Sequence, residues 1–156
     1  MAPNVFDRLR PPRQGGGTLG EWGRQIEKIT RDPAGYFNEV AEKMKNLPAE
    51  FDQARLTVMN ALAPNIIVKL MEAMAASSEK ITIGMNNEEK LRITITDQID
   101  AYKASEGSSA VNCPSGISSF VITQLAMKLP PDDPYLKFVV ENAPRIAQEV
   151  CSQAYA

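Results

Sequence analysis

One cysteine is the residue in this chain best placed to act as a nucleophile. Cys113 stands in the sequence Asn-Cys-Pro-Ser-Gly, directly before an apolar stripe with helical spacing. A thiol just before a helix N-terminus is exposed to the positive end of the helix dipole and to free amide donors, which favour the thiolate. The sequence therefore offers one candidate for covalent chemistry, a cysteine-dependent enzyme centred on Cys113.

The sequence lacks the general base that such a nucleophile usually needs. The chain of 156 residues contains no histidine, the commonest general base and the commonest transition-metal ligand. Two cysteines without histidine do not suffice for a zinc site within one chain. The acidic pairs Glu88-Glu89 and Asp132-Asp133 lack the spacing of a calcium loop. We therefore expect no catalytic residue, no metal and no cofactor, and a protein that is not an enzyme.

The two cysteines also bear on the redox state of the chain. Cys113 falls in a predicted loop and Cys151 in a predicted helix, and there are no others. Two cysteines in segments of different kinds do not indicate a disulfide framework.

Charge and hydropathy limit the surroundings of the protein. A formal net charge of −2 gives no bulk attraction to nucleic acid or to anionic membranes. No run of about 18 apolar residues is present, and the polar N-terminus, broken by prolines, does not resemble a signal peptide. We expect no membrane insertion, and a protein that is cytoplasmic, part of an assembled particle or delivered by another machine.

The clearest structural pattern lies in the middle of the chain. Ile81, Ile83 and Met85 alternate with polar or small residues, as do the apolar residues of the next run, which are Leu91, Ile93 and Ile95. Alternation with a period of two is typical of a strand, and Asn86 to Lys90 has the length of a hairpin loop. This predicts a β-hairpin over about residues 80–96. Its polar face would carry Thr82, Arg92, Thr94 and Thr96.

The first residues have a different composition. Residues 1–17 contain Pro11-Pro12, which favours an extended conformation, and three consecutive glycines, which favour flexibility. We predict an N-terminal arm that carries apolar and basic contact residues: Phe6, Leu9, Arg10 and Arg13. A terminus without a role accounts for the same residues.

Helical spacing dominates the rest. Thr18 and Glu21 match a capping box, and Pro33, Pro48, Pro64, Pro134 and Pro144 stand where helices are expected to start. The sequence predicts an α+β fold, mainly α, in which six or seven short helices surround the hairpin. Residues 18–156 then form a single helical domain behind the arm.

These expectations favour a protein that binds other proteins. We expect a structural subunit, adaptor or assembly factor of a larger complex, such as a virion or a secretion machine, with protein subunits as partners and a homo-oligomer as one form. The arm residues and Thr82, Arg92, Thr94 and Thr96 are the expected contacts. A nucleic-acid-binding accessory protein that uses the basic arm is the alternative. It has no recognition motif to support it.

Overall fold

The structure, a computed structural model, describes residues 21–156, and these form seven helices and no strand. The helices are α1 (Glu21–Arg31), α2 (Pro33–Met44), α3 (Ala49–Ala61), α4 (Pro64–Lys80), α5 (Asn87–Ala104), α6 (Cys113–Lys128) and α7 (Pro134–Ala154). The predicted arm, residues 1–17, and the predicted cap Thr18 lie outside the described residues. So do the arm contacts Phe6, Leu9, Arg10 and Arg13.

Most of the proline-based helix starts are confirmed. Pro33, Pro64 and Pro134 are the first residues of α2, α4 and α7, where the missing N–H of proline costs nothing. The side chains of two aspartates cap the helices that follow them. Asp32 accepts a 3.1 Å hydrogen bond from the backbone N–H of Gly35, and Asp133 accepts one of 2.8 Å from that of Tyr135.

The expected helix start at Pro144 is wrong, because α7 continues through this residue without a break. A proline inside a helix removes one backbone donor and crowds the preceding turn. Pro144 is exposed to solvent, while Ala143, Ile146 and Ala147 on either side of it are buried. Burial of this apolar face keeps the two halves of α7 in one helix.

The predicted β-hairpin is also wrong, and with it the α+β fold class: the described part of the chain is all-helical. Residues 87–104 form α5, and residues 81–86 are its connection to α4. The side chain of Asn86 accepts a 2.8 Å hydrogen bond from the backbone N–H of Glu89, so the predicted hairpin loop is a helix N-cap.

The burial pattern of α5 explains the error. Its buried residues follow the helical pattern i, i+3, i+4, i+7, i+8 and i+11: Leu91, Thr94, Ile95, Gln98, Ile99 and Tyr102. Alternation over Leu91, Ile93 and Ile95 overlaps this stripe for five residues only, and the helical spacing continues beyond it. Burial of the helical stripe outweighs the strand preference of the β-branched residues.

Helix α6 lies at the centre of the bundle. It contacts α2, α3, α5 and α7, and 11 of its 16 residues are buried, so it has almost no solvent-facing side. Gly116 allows the close approach of α3, because a Cβ atom there would lie 3.1 Å from Cδ2 of Leu62. Outside this centre, α5 packs between α4 and α7, and α1 packs on α2 and α4.

Candidate interaction surface

The connection between α4 and α5 runs back along α5. The Lys80 ammonium, at the end of α4, lies 2.9 Å from the Asp97 carboxylate, and the Ser77 hydroxyl donates a 2.8 Å hydrogen bond to the same carboxylate. Asp97 is ten residues beyond Asn87, the first residue of α5, or about 15 Å along the helix. Residues 81–86 therefore cover that distance beside the first half of α5.

A turn in this connection presents an isoleucine to solvent. The backbone N–H of Met85 donates a 3.2 Å hydrogen bond to the carbonyl of Thr82, which closes a turn with Ile83 and Gly84 at its centre. The Ile83 side chain is 71% exposed, whereas Ile81, two residues earlier, is fully buried. The connection is therefore fixed at Ile81 and displays an apolar side chain at Ile83.

A shallow groove lies where the end of α4 meets α5. It has a volume of about 220 Å³ and is lined by Lys80, Arg92, Ile93, Thr96 and Asp97. The half-buried Ile93 is its apolar element, and the other four residues supply charged or hydroxyl groups. We call this groove together with the turn Thr82–Met85 the α4–α5 surface.

The structure brings two of the four contacts expected on the hairpin into one groove, and it exposes a third in the turn. Arg92 and Thr96 line the groove, and Thr82 is exposed in the turn. Thr94 is 1% exposed, and its hydroxyl donates a 3.0 Å hydrogen bond to the Lys90 carbonyl within α5. The strand face that was expected to carry Thr82 and Thr94 together is therefore absent from the described residues.

Ion pairs hold the edge of the groove against α7. Arg92 lies 3.0 Å from Glu88 on α5 and 3.3 Å from Glu149 on α7, and Arg145 on α7 lies 2.8 Å from Glu88. The hydrogen bond from Arg145, followed by that from Arg92, lowers the pKa of the Glu88 carboxyl below its usual value. Hydrogen bonds to Glu149 and Glu88 raise the pKa of the Arg92 guanidinium.

Each charged side chain of the α4–α5 surface is in an ion pair. Two arginines face two glutamates, and Lys80 faces Asp97. A surface that neutralises its own charges has no surplus cation for a phosphate backbone. Its chemistry suits a partner with neutral polar and apolar groups.

A second groove was not indicated by the sequence. It has a volume of about 260 Å³ and lies between the start of α3, the α6–α7 connection and α7. Its lining combines apolar residues with three charged ones: Pro48, Glu50, Phe51, Pro131, Lys137, Val140 and Glu141. These residues are far apart in the sequence, so no local pattern could have revealed the groove.

The sequence also failed to single out Ile83 as an exposed residue. The strand interpretation placed it on the buried face with Ile81. A signal was present, since Gly84 and Asn86 follow it closely and both residue types are typical of turns.

Cys113 carries no free thiol in this structure, because it forms a disulfide with Cys151. The sequence-based expectation against a disulfide is therefore wrong. The cysteines are 38 positions apart, but α6 and α7 pack against each other and bring their Cα atoms to 6.1 Å. Cys113 cannot serve as a nucleophile while this bond is present.

Two further chemical properties concern residues 21–156. No group of three acidic or cysteine side chains in this range is arranged to hold a metal ion. Within the same range, every helix is too short or too polar to span a bilayer.

Comparisons with known proteins found no match: no family model, no curated protein and no solved structure is significantly similar to this chain. The α4–α5 surface must therefore be interpreted from its own geometry.

Proposed function

We propose that this chain is a non-enzymatic protein-interaction module that binds a protein subunit through the α4–α5 surface. The observation that carries the proposal is the 71% exposure of Ile83, in a turn that begins two residues after Lys80, one of the residues that line the groove. A structural subunit, adaptor or assembly factor of a larger complex, such as a virion or a secretion machine, has this kind of role.

The arrangement has the features of an interface centre. Binding energy at protein interfaces is concentrated in a few anchor side chains, while surrounding polar groups exclude water and set the register. Ile83 supplies an anchor, and Thr82, Arg92 and Thr96 supply the polar surroundings. The partner that fits has an apolar socket for Ile83, bordered by neutral hydrogen-bonding groups.

The surface is also held in one shape before any partner arrives. Burial of Ile81 fixes one end of the connection, the Asn86 cap fixes the other, and the Lys80–Asp97 pair joins α4 to α5. A fixed surface loses little conformational entropy on binding, so more of the contact energy contributes to affinity.

A cross-linker placed in the turn tests this function. A photoreactive side chain at position 83 should give a covalent product with one defined polypeptide, either a second copy or another subunit. The matched control is the same group at Lys43, which is exposed on α2. Products that are absent at position 83, or equally abundant at position 43, would refute the proposed surface.

The arm remains a proposed second contact, through Phe6, Leu9, Arg10 and Arg13. If it docks on a neighbouring subunit, deletion of residues 1–17 should lower the assembled mass in light scattering and leave Tm nearly unchanged. Unchanged assembly would remove the arm from the proposal. Steeply salt-dependent binding of the full chain to DNA or RNA would instead favour the nucleic-acid alternative.

A further inference from the structure

The disulfide joins two helices at one end of the bundle. Cys113 is the first residue of α6, and Cys151 lies in the last turn of α7. Both are buried, with 0% and 3% of their surface exposed. The bond therefore closes a covalent loop that contains all of α6 and most of α7.

Contacts from the end of α5 also reach both segments. The Tyr102 hydroxyl at the end of α5 accepts a 2.9 Å hydrogen bond from the backbone N–H of Ser109 and lies 3.3 Å from its carbonyl oxygen. The Lys103 ammonium donates a hydrogen bond to the carbonyl of Ala154 and lies 5.5 Å from the ring centre of Tyr155.

Five of the eight residues in the segment that enters α6 are exposed. Residues 105–112 form no helix. Gly107 in this segment has a φ of +90°, a backbone conformation that residues other than glycine rarely adopt. Val111, two residues before Cys113, is 87% exposed. Segments with few buried contacts open first, and the disulfide is the covalent link that ties this segment to α7.

We propose that the Cys113–Cys151 disulfide is a redox latch. When the disulfide is intact, it holds residues 105–113 against residues 150–156. When the disulfide is reduced, both segments are released, while the core around α4, α5 and the middle of α6 keeps the remaining helices folded. The latch requires an oxidising compartment or particle to stay closed, because cytosolic dithiol systems keep most protein thiols reduced.

The opening step is an ordinary thiol–disulfide exchange with a dithiol as reductant. One thiolate of the reductant bonds to one cysteine sulfur, the S–S bond breaks, and its electron pair leaves on the other cysteine. The second thiol of the reductant then displaces the first cysteine and closes a cyclic disulfide. Two electrons pass to the protein, and each cysteine gains a proton. Because both sulfurs are buried, this exchange must await local opening and should be slow.

Hydrogen exchange on the purified full chain tests the latch. The untreated protein, denatured without reductant, should show no reaction with a thiol reagent. After treatment with dithiothreitol it should show two thiols. Amide exchange in the native, reduced protein should increase at least tenfold in residues 105–113 and 150–156 and remain unchanged in α2, α4 and the first half of α5. Tm should fall by roughly 10 °C.

A matched variant separates loss of the bond from other effects of the reductant. Cys113→Ser/Cys151→Ser should show the exchange pattern of the reduced protein with and without dithiothreitol. Two reactive thiols in the untreated protein would refute the latch. Unchanged exchange after reduction would refute it as well, and so would faster exchange throughout residues 21–156.

Discussion

The side-chain nitrogen Nε2 of Gln124 donates a 2.8 Å hydrogen bond to the hydroxyl oxygen of Tyr36, which joins α6 to α2 inside the core. Both side chains are buried, and the other amide atom, Oε1 of Gln124, has no hydrogen-bond partner among residues 21–156. A buried polar group that loses its partner carries its full desolvation penalty.

Tyr36→Phe should therefore cost about 1–3 kcal/mol in the free energy of unfolding, measured in urea, because it leaves the whole Gln124 amide unpaired. Tyr36→Phe/Gln124→Leu removes both partners and should cost less than the sum of the two single substitutions. Additive costs would show that the two side chains do not interact.

Stability should fall at alkaline pH because of the same tyrosine. Burial, partly offset by the Gln124 hydrogen bond, raises the pKa of Tyr36 from 10.0 to about 12. Burial also raises the pKa of Tyr135. A group whose pKa is higher in the folded state stabilises fully below its unfolded pKa and loses that contribution as pH rises through the folded pKa.

The contribution of the raised Tyr36 pKa to the free energy of unfolding should therefore be complete below pH 10 and disappear between pH 10 and about 12. Urea unfolding at a series of pH values measures this loss. Tyr36→Phe should flatten the profile in that window. The prediction fails if the variant and the parent lose stability in parallel.

The ion pairs of Glu88, beside the α4–α5 surface, should make the stability of the protein depend on pH in the acid range. Because the pKa of Glu88 is lowered in the folded state, its contribution is present above the unfolded pKa and is lost as pH falls through the folded pKa. The hydrogen bond from Arg145 is the largest cause of the shift, so Arg145→Ala should raise this pKa more than Arg92→Ala.

An NMR titration of the Glu88 carboxyl carbon measures its pKa in the parent protein and in each of the two variants. Arg24→Ala is the control, because Arg24 is exposed on α1, whereas the ion pairs of Glu88 are with Arg92 and Arg145. An equal shift in all three variants would contradict the assignment of Arg145 as the main partner.

The start of α5 can be tested with one matched pair of substitutions. Asn86→Ala removes the acceptor for the Glu89 N–H and should destabilise the protein by about 1 kcal/mol. Asn46→Ala makes the same chemical change in the α2–α3 connection, where the side chain caps no helix, and should be nearly neutral. Equal costs, measured by thermal unfolding, would argue against the cap.

The sequence predicted the helix boundaries best where one residue type imposes the geometry. Asp32-Pro33 and Asp133-Pro134 combine a side-chain cap with a fixed φ, so each boundary is determined locally. Pro144 shows the limit of this rule, because burial on both sides carries α7 through a residue that disfavours helix.

The candidate site was predictable only in part. Arg92 and Thr96 were selected for the polar face of a strand, and they share a groove because they are four residues apart on a helix. The disulfide and the second groove depend on how α6 and α7 pack, which no local pattern contains.

Because α6 is enclosed by other helices, the folding of those helices is coupled. The 11 buried residues of α6 find their contacts only when α2, α3, α5 and α7 are all in place. Any fragment that lacks one of these helices exposes part of that apolar surface to water, so neither half of the chain should fold alone. We therefore expect the chain to unfold in one cooperative transition, with circular dichroism and tryptophan fluorescence giving the same midpoint.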